Sequence, residues 1–173
     1  TIHFPRITSD LITEEDSFVG NGFLQRIFYI LEKQYDVSFI GNIYGDRSNI
    51  ISSIDKEVSV INNAYGVQHA LEVSKSRINL NFCTDSGASD RVYKIMAAGG
   101  FLLSNDWEGR KEHFTNGKEC VIFNDVKDLN DKIKYYLENP EMVQQIAKHG
   151  QEAVKAFSRI SWASRIVELS HGC

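Results

Sequence analysis

Cysteine is scarce in this chain of 173 residues: only Cys83, Cys120 and Cys173, odd in number and widely spaced. No Cys-x-x-Cys pair and no His/Cys cluster at metal spacing occurs, which argues against a disulfide framework and against a structural metal site. The three are read as reduced thiols of a cytosolic protein, two in strands and one at the tail. His3, His69, His113, His149 and His171 are scattered and read as surface or packing histidines rather than ligands or bases. No apolar run approaches the ~20 residues needed to cross a bilayer, and no signal-peptide pattern is visible. An excess of positive charge is also missing. The formal net charge is −4, so bulk charge attracts neither a nucleic-acid backbone nor an anionic membrane. Proline occurs only twice, and there is no internal repeat or low-complexity tract. A chain that opens on Thr1 rather than Met is expected to be a trimmed form or a piece of a longer one.

What remains is an ordinary globular composition, with 42% hydrophobic and 24% charged residues. The length suits one domain. Residues 1–20 hold Pro5, Ser9-Asp10 and the acidic stretch Thr13-Glu14-Glu15-Asp16, and read as a linker or lead-in. Residues 21–173 are read as a single domain.

Along that domain the hydrophobic pattern alternates between strand and helix. Leu24, Ile27, Phe28 and Leu31 share one helical face, which predicts a helix over 22–35. A short strand over 36–41 ends in glycine. Asp46 is placed to cap a helix reaching Ile54. A strand at 58–61, a helix over 67–75 and a strand at 78–82 follow. Ser89 or Asp90 caps a helix to Ala98, and strands at 101–103 and 120–123 complete the set. The rest is helical. Val126, Leu129, Ile133 and Leu137 fall at helical spacing after Asp125 or Asp128. Asn139-Pro140 ends that helix, with proline suited to the first turn of the next. Met142, Ile146, Ala153, Val154 and Phe157 give the next apolar face, and Trp162, Ile166 and Leu169 a last one.

Five short strands, four of them followed by helical segments, predict an α/β fold. It is a Rossmann-like parallel sheet of about five strands with helices on both faces and a helical C-terminal tail. Ligands of such sheets bind beyond the carboxyl ends of the strands. That rule selects the loops 41–47, 62–66, 83–90, 105–110 and 124–127.

Two of these loops suit phosphate. Gly41-Asn42-Ile43-Tyr44-Gly45-Asp46-Arg47 offers two glycines for close backbone approach and a forked arginine at the following helix start. The same residues also fit a plain turn with a solvated Arg47. Cys83-Thr84-Asp85-Ser86-Gly87-Ala88-Ser89-Asp90-Arg91 offers hydroxyls, small residues and helix N-terminal amides. It equally fits a capped helix start with Arg91 in solvent, and Asp85 and Asp90 would repel an anion.

The stretch from Asp36 to about residue 170 resembles the C-terminal, nucleotide-sugar-binding domain of glycosyltransferases with the GT-B fold. It is most similar to the spore-maturation glycosyltransferase-like branch. The likeness is carried by Asp36-Val37-Ser38-Phe39-Ile40-Gly41 with Arg47, by Ser76-Arg77-Ile78-Asn79-Leu80-Asn81-Phe82, and by Arg91-Val92-Tyr93-Lys94-Ile95-Met96-Ala97-Ala98-Gly99-Gly100-Phe101-Leu102-Leu103. Gly117 to Phe123, Tyr135 to Pro140, and the Phe157 and Trp162 segments also fit it.

The resemblance implies a nucleoside-diphosphate sugar as donor and an acceptor that the sequence does not identify. It implies Gly41, Asn42, Tyr44 and Arg47 near the diphosphate, and Gly66, between Tyr65 and Val67, near the base. Ser86, Gly87, Ala88 and Ser89 would face the sugar and phosphates, with Arg91 behind them and Lys94 one helical turn on. No cofactor and no metal are implied, since basic side chains and helix amides take the metal's place in this fold.

Many members carry two glutamates eight positions apart, where this chain has Ser86 and Lys94. The second glutamate takes ribose hydroxyls, from which a lysine, having donors only, cannot accept; Lys94 fits either a point charge on a phosphate or a solvated helix residue in a protein that has lost donor binding. The fold family places its reaction between two such domains, so an N-terminal acceptor domain is implied as a missing partner and no catalytic residue is named. The last helix of such enzymes braces that domain, and the Trp162 segment either does so or packs on its own sheet. The functional expectation is the donor domain of a cytoplasmic glycosyltransferase. The alternatives are a non-catalytic nucleotide- or partner-binding module and a different chemistry on the same fold, such as nucleotide-sugar epimerisation.

Overall fold

The structure is a computed structural model that describes residues 33–83 and 87–158. Five strands alternate with helices: β1 Tyr35–Ile40, α1 Arg47–Ser52, β2 Ser59–Ile61, α2 Gly66–Ser74, β3 Ser76–Asn81, α3 Asp90–Ala97, β4 Leu102–Asn105, α4 Arg110–His113, β5 Val121–Phe123, α5 Val126–Glu138 and α6 Pro140–Val154. A short 3₁₀ turn, Lys155–Phe157, follows α6.

All strand pairs are parallel, in the order β2-β1-β3-β4-β5. The chain steps outward from β1 to β2, then crosses back over β1 to lay down β3. The sheet therefore changes direction between β1 and β3, and at their carboxyl ends the loops diverge and leave a crevice.

Strand alternation explains both layers. In β3, Ile78, Leu80 and the following Phe82 point to one face. There they meet Val37, Phe39, Leu103 and Phe123 under Leu129 and Ile133 of α5 and Ile146 of α6, with Ile50 and Ile51 of α1 packed alongside. The opposite layer joins Ile40, Leu102 and Ile122 to Val73 of α2, to Val92, Ile95 and Met96 of α3, and to Val154 of α6. Each fully buried aliphatic or aromatic side chain contributes about 1.5–3 kcal/mol. On this second face the central strands carry polar residues, Ser38, Asn79, Asn81 and Ser104, all buried. Ser38 lies opposite Asn79 and Asn81 opposite Ser104 in the ladder.

The helix punctuation is legible residue by residue. Asp125 caps α5 by accepting from the Asp128 amide at 2.8 Å. Pro140 stands in the first turn of α6. Helix α3 ends on Gly99, whose φ of +72° continues no L-residue helix. Gly99 N–H bonds Met96 O and Gly100 N–H bonds Ile95 O, both at 2.9 Å, which satisfies the last carbonyls.

Several expectations are corrected. The helix over 22–35 falls outside the described residues except at its end. There Lys33 and Gln34 lie in no helix, and Gln34 and Tyr35 N–H donate to Lys75 O at 2.8 and 3.2 Å, so Tyr35 already enters β1. Asp46 and Ser89 occupy N-cap positions, but neither side chain caps its helix. Cys83 and Cys120 are free and buried, just beyond β3 and just before β5 rather than inside strands. The one-turn α4 was not anticipated. The lead-in over 1–20, Thr84 to Ser86 and the Trp162 segment lie outside the described residues.

Candidate functional site

Two arginines meet at the crevice between β1 and β3. Arg47, the first residue of α1, is 4% exposed. Its Nη1 donates to Asn42 O and its Nη2 to Phe82 O, each at 3.2 Å, so one side chain ties together the two loops that line the crevice. Its guanidinium carbon sits 3.8 Å from the Tyr44 ring centroid and 5.8 Å from that of Phe39. Its Nε is buried with no hydrogen-bond partner among the described residues. A plain turn with a solvated arginine is therefore not what the sequence builds.

Arg91, the second residue of α3, approaches from the other side. Its guanidinium carbon lies 4.8 Å from the same Phe39 ring, and its Nη1 donates to Asn81 Oδ1 at 3.2 Å. It also fills the space over Gly41, whose φ of +145° already favours glycine. Burial, and then the nearby charge of Arg47, push the Arg91 guanidinium below its ordinary value. The ion pairs among the described residues include neither Arg47 nor Arg91. Two like charges, one buried and one half-buried, with no carboxylate partner among the described residues, are costly. An anion in the crevice would offset that cost through charge-assisted bonds.

The floor of the site is Asn81. Besides Arg91, its Oδ1 accepts from Ser89 Oγ at 2.9 Å, and its Nδ2 donates to Ser104 Oγ at 2.9 Å. The Ser89 hydroxyl thus ties the start of α3 to the sheet instead of capping the helix. Around the rim, Ile43, Tyr44, Tyr65 and Val67 are exposed, an unusual density of large apolar groups in solvent. An open hollow of about 470 Å³ lies between Asn42, Ile43, Asn62 and Asn63. Gly66, with φ +53°, opens α2 just behind Tyr65.

The expected site residues fall into three groups. Gly41, Asn42, Tyr44, Arg47 and Arg91 come together around Phe39, and Ser89 joins them through Asn81. Lys94 is exposed and pairs with Asp90 at 3.5 Å, so it faces solvent one turn along α3. Gly87 and Ala88 are exposed and Gly66 stands on the neighbouring loop, while Ser86 lies outside the described residues. Sequence reasoning missed two participants. Asn81 left a signal, an amide alternating with apolar residues in a buried strand. His69 left none. It is drawn toward the site by the packing of α2 on α3, where burial, then Lys94, then Arg91 hold its imidazole below the usual histidine value. Among the described residues, no group of three or more His, Cys, Asp or Glu gathers to hold a metal, and no helix is long and apolar enough to cross a membrane.

The comparisons with solved structures agree with this layout. The chain is similar to Alr3699/HepE of Anabaena, solved in complex with UDP-glucose, at 12% identity and a TM-score of 0.60, over 89% of this chain and 45% of that one. It is similar to sucrose-phosphate synthase of Thermosynechococcus elongatus at 15% identity and a TM-score of 0.60, over 87% and 41%. TarM matches at 13% identity and a TM-score of 0.57, over 85% and 31%. The chain thus spans less than half the length of these structural relatives. At such identities the likeness shows the fold, one half of a GT-B architecture. No curated protein sequence matches the chain. The sequence family is shown independently, by a family model that matches residues 23–170. The parallel sheet, its basic crevice and that match lead to one assignment: the chain belongs to the glycosyl transferase-like family.

Proposed function

We propose that this chain is the donor-binding half of a glycosyltransferase, holding a nucleoside-diphosphate sugar at the crevice between β1 and β3. The observation that carries the reading is the Arg47/Arg91 pair, two inward guanidinium groups on one aromatic ring, without a carboxylate partner among the described residues. A diphosphate matches that charge. The complex of Alr3699/HepE with UDP-glucose supports the ligand class.

Each group has a task that follows from its place. Arg91 meets the diphosphate over the Gly41 backbone, where the absence of a Cβ lets guanidinium and ligand come close. Arg47 supplies fixed charge from beneath and keeps the two loops in register. The exposed rings of Tyr44 and Tyr65 offer apolar faces to the base and ribose. Lys94, exposed one turn along α3, adds positive charge on the α2/α3 side of the site.

In glycosyl transfer the bond from the anomeric carbon to the diphosphate breaks, and negative charge grows on the departing oxygen. Donors already fixed toward that oxygen stabilise it without reorganising. The acceptor, its activating base and a second domain are assigned to sequence outside this chain.

A second reading keeps the binding and drops the turnover. It is favoured by Lys94, which is exposed, pairs only loosely with Asp90, and cannot accept from ribose hydroxyls. Calorimetric titration with UDP, GDP and their sugar forms tests the first reading. Saturable binding that Arg47→Ala weakens at least tenfold is the expected result. No heat from any nucleotide with a folded sample would overturn it. Tighter binding by Lys94→Glu would favour the module without turnover.

A further inference from the structure

Asn81 is fully buried in the central strand of the sheet, yet both ends of its amide are in use. Its orientation follows from counting protons. The single hydroxyl proton of Ser104 goes to Asn105 O at 2.9 Å, so toward Asn81 that oxygen can only accept. The Asn81 Nδ2 must therefore face Ser104. Arg91 carries donors only, so the Asn81 Oδ1 must face α3. Both contacts fit the same rotamer, and the Arg91 donors hold the amide in it.

We propose that Asn81 is the positioning residue of the anion site. From the sheet it holds the Arg91 guanidinium against Gly41 and Phe39, and it holds the start of α3 through Ser89, so that the charge is aimed before the ligand arrives. The inference rests on the donor-site reading above. An amide is the residue type this task requires. It is a neutral acceptor, so it fixes Arg91 and leaves the positive charge free for the ligand. A carboxylate in its place would hold Arg91 just as firmly, and Ser89 too, but would cancel that charge. An aliphatic residue would leave Arg91, Ser89 and Ser104 without their shared partner.

That contrast separates positioning from packing. The probes are inorganic pyrophosphate and UDP, titrated calorimetrically into wild type, Asn81→Asp and Asn81→Ala, with thermal melting of each. The expected result is that Asn81→Asp, which keeps Arg91 and Ser89 but loses the donation to Ser104, melts below wild type yet stays folded, while its affinity for both probes falls at least tenfold and depends less steeply on salt. Asn81→Ala is expected to lose affinity to a similar degree and to melt lower. If the wild type binds and the folded Asn81→Asp binds equally well, the positioning role is overturned and the donor site stands. If Asn81→Asp does not fold, the affinity of Asn81→Ala decides by the same tenfold criterion. If the folded wild type binds neither probe, the donor-site reading fails and the positioning role fails with it.

Discussion

The Arg91 guanidinium occupies the space that a side chain on Gly41 would need: a Cβ there would stand 2.6 Å from Nη2 and 3.1 Å from Cζ. Glycine thus follows strand β1 for two reasons, its backbone conformation and the arginine lying on it. Gly41→Ala is expected to destabilise the fold by about 1–3 kcal/mol through backbone strain and crowding. It is also expected to push Arg91 out of line, so that nucleoside diphosphate affinity falls at least tenfold. Melting and calorimetry on the same sample check both parts. Unchanged affinity in a folded variant would show that Arg91 does not meet the ligand over this residue.

His69 is expected to make the site sensitive to pH. Burial, Lys94 and Arg91 hold it below the ordinary histidine value of 6.5. The unfolded chain therefore takes up this proton more readily than the folded one. The contribution to stability is full above that value and is lost as pH falls through the lower folded value. A diphosphate bound beside Arg91 and Lys94 would offset their charges and raise His69, so binding is expected to take up a proton. UDP-glucose affinity is expected to rise as pH drops from about 7.5 to about 6, and His69→Gln is expected to flatten that rise. Titrations in two buffers of different ionisation enthalpy measure the proton uptake directly.

Gly100 serves packing rather than the site. A Cβ there would collide with Val73 Cγ1 and stand 3.0 Å from Asn79 Nδ2 and 3.1 Å from Ile95 Cγ2. Gly100→Ala is expected to cost about 1–3 kcal/mol by overpacking the layer between the sheet, α2 and α3. The variant should melt several degrees lower while ligand affinity in the folded protein changes less than threefold.

The Cys120 thiol is pushed up to about 12, chiefly by burial. Iodoacetamide at about pH 8 should leave Cys120 unlabelled in the native protein and label it once denaturant is added, because the thiolate is the reactive form. Peptide mapping by mass spectrometry reads the difference.

Much of this fold was legible in the chain because its signals are local. Glycine after β1, the Ile78/Leu80/Phe82 alternation, Asp125 and Pro140 each announce an element within a few residues of themselves. Helix α4 was not legible. Its Arg110-Lys111-Glu112-His113 run has no apolar period, and it is held instead by Arg110, which binds Asp106 Oδ1 at 2.6 Å and Phe114 O at 2.9 Å. The same limit applies to the site. The loops were identifiable from strand ends and glycines. The burial of Arg47 was not, because one of its partners, Phe82 O, is 35 residues away. Asn81 looked like part of a strand pattern until Ser89, Arg91 and Ser104 converged on it.

The central claim is that a diphosphate sits at the crevice between β1 and β3, against Arg91 and above Arg47. A crystal structure grown with UDP tests it most directly. The expected result is the diphosphate within hydrogen-bond distance of the Arg91 guanidinium and the Gly41 backbone, with Arg47 still bound to Asn42 O and Phe82 O beneath. Diphosphate density at the opposite edge of the sheet, or against α5 and α6 with the arginine pair untouched, would contradict it.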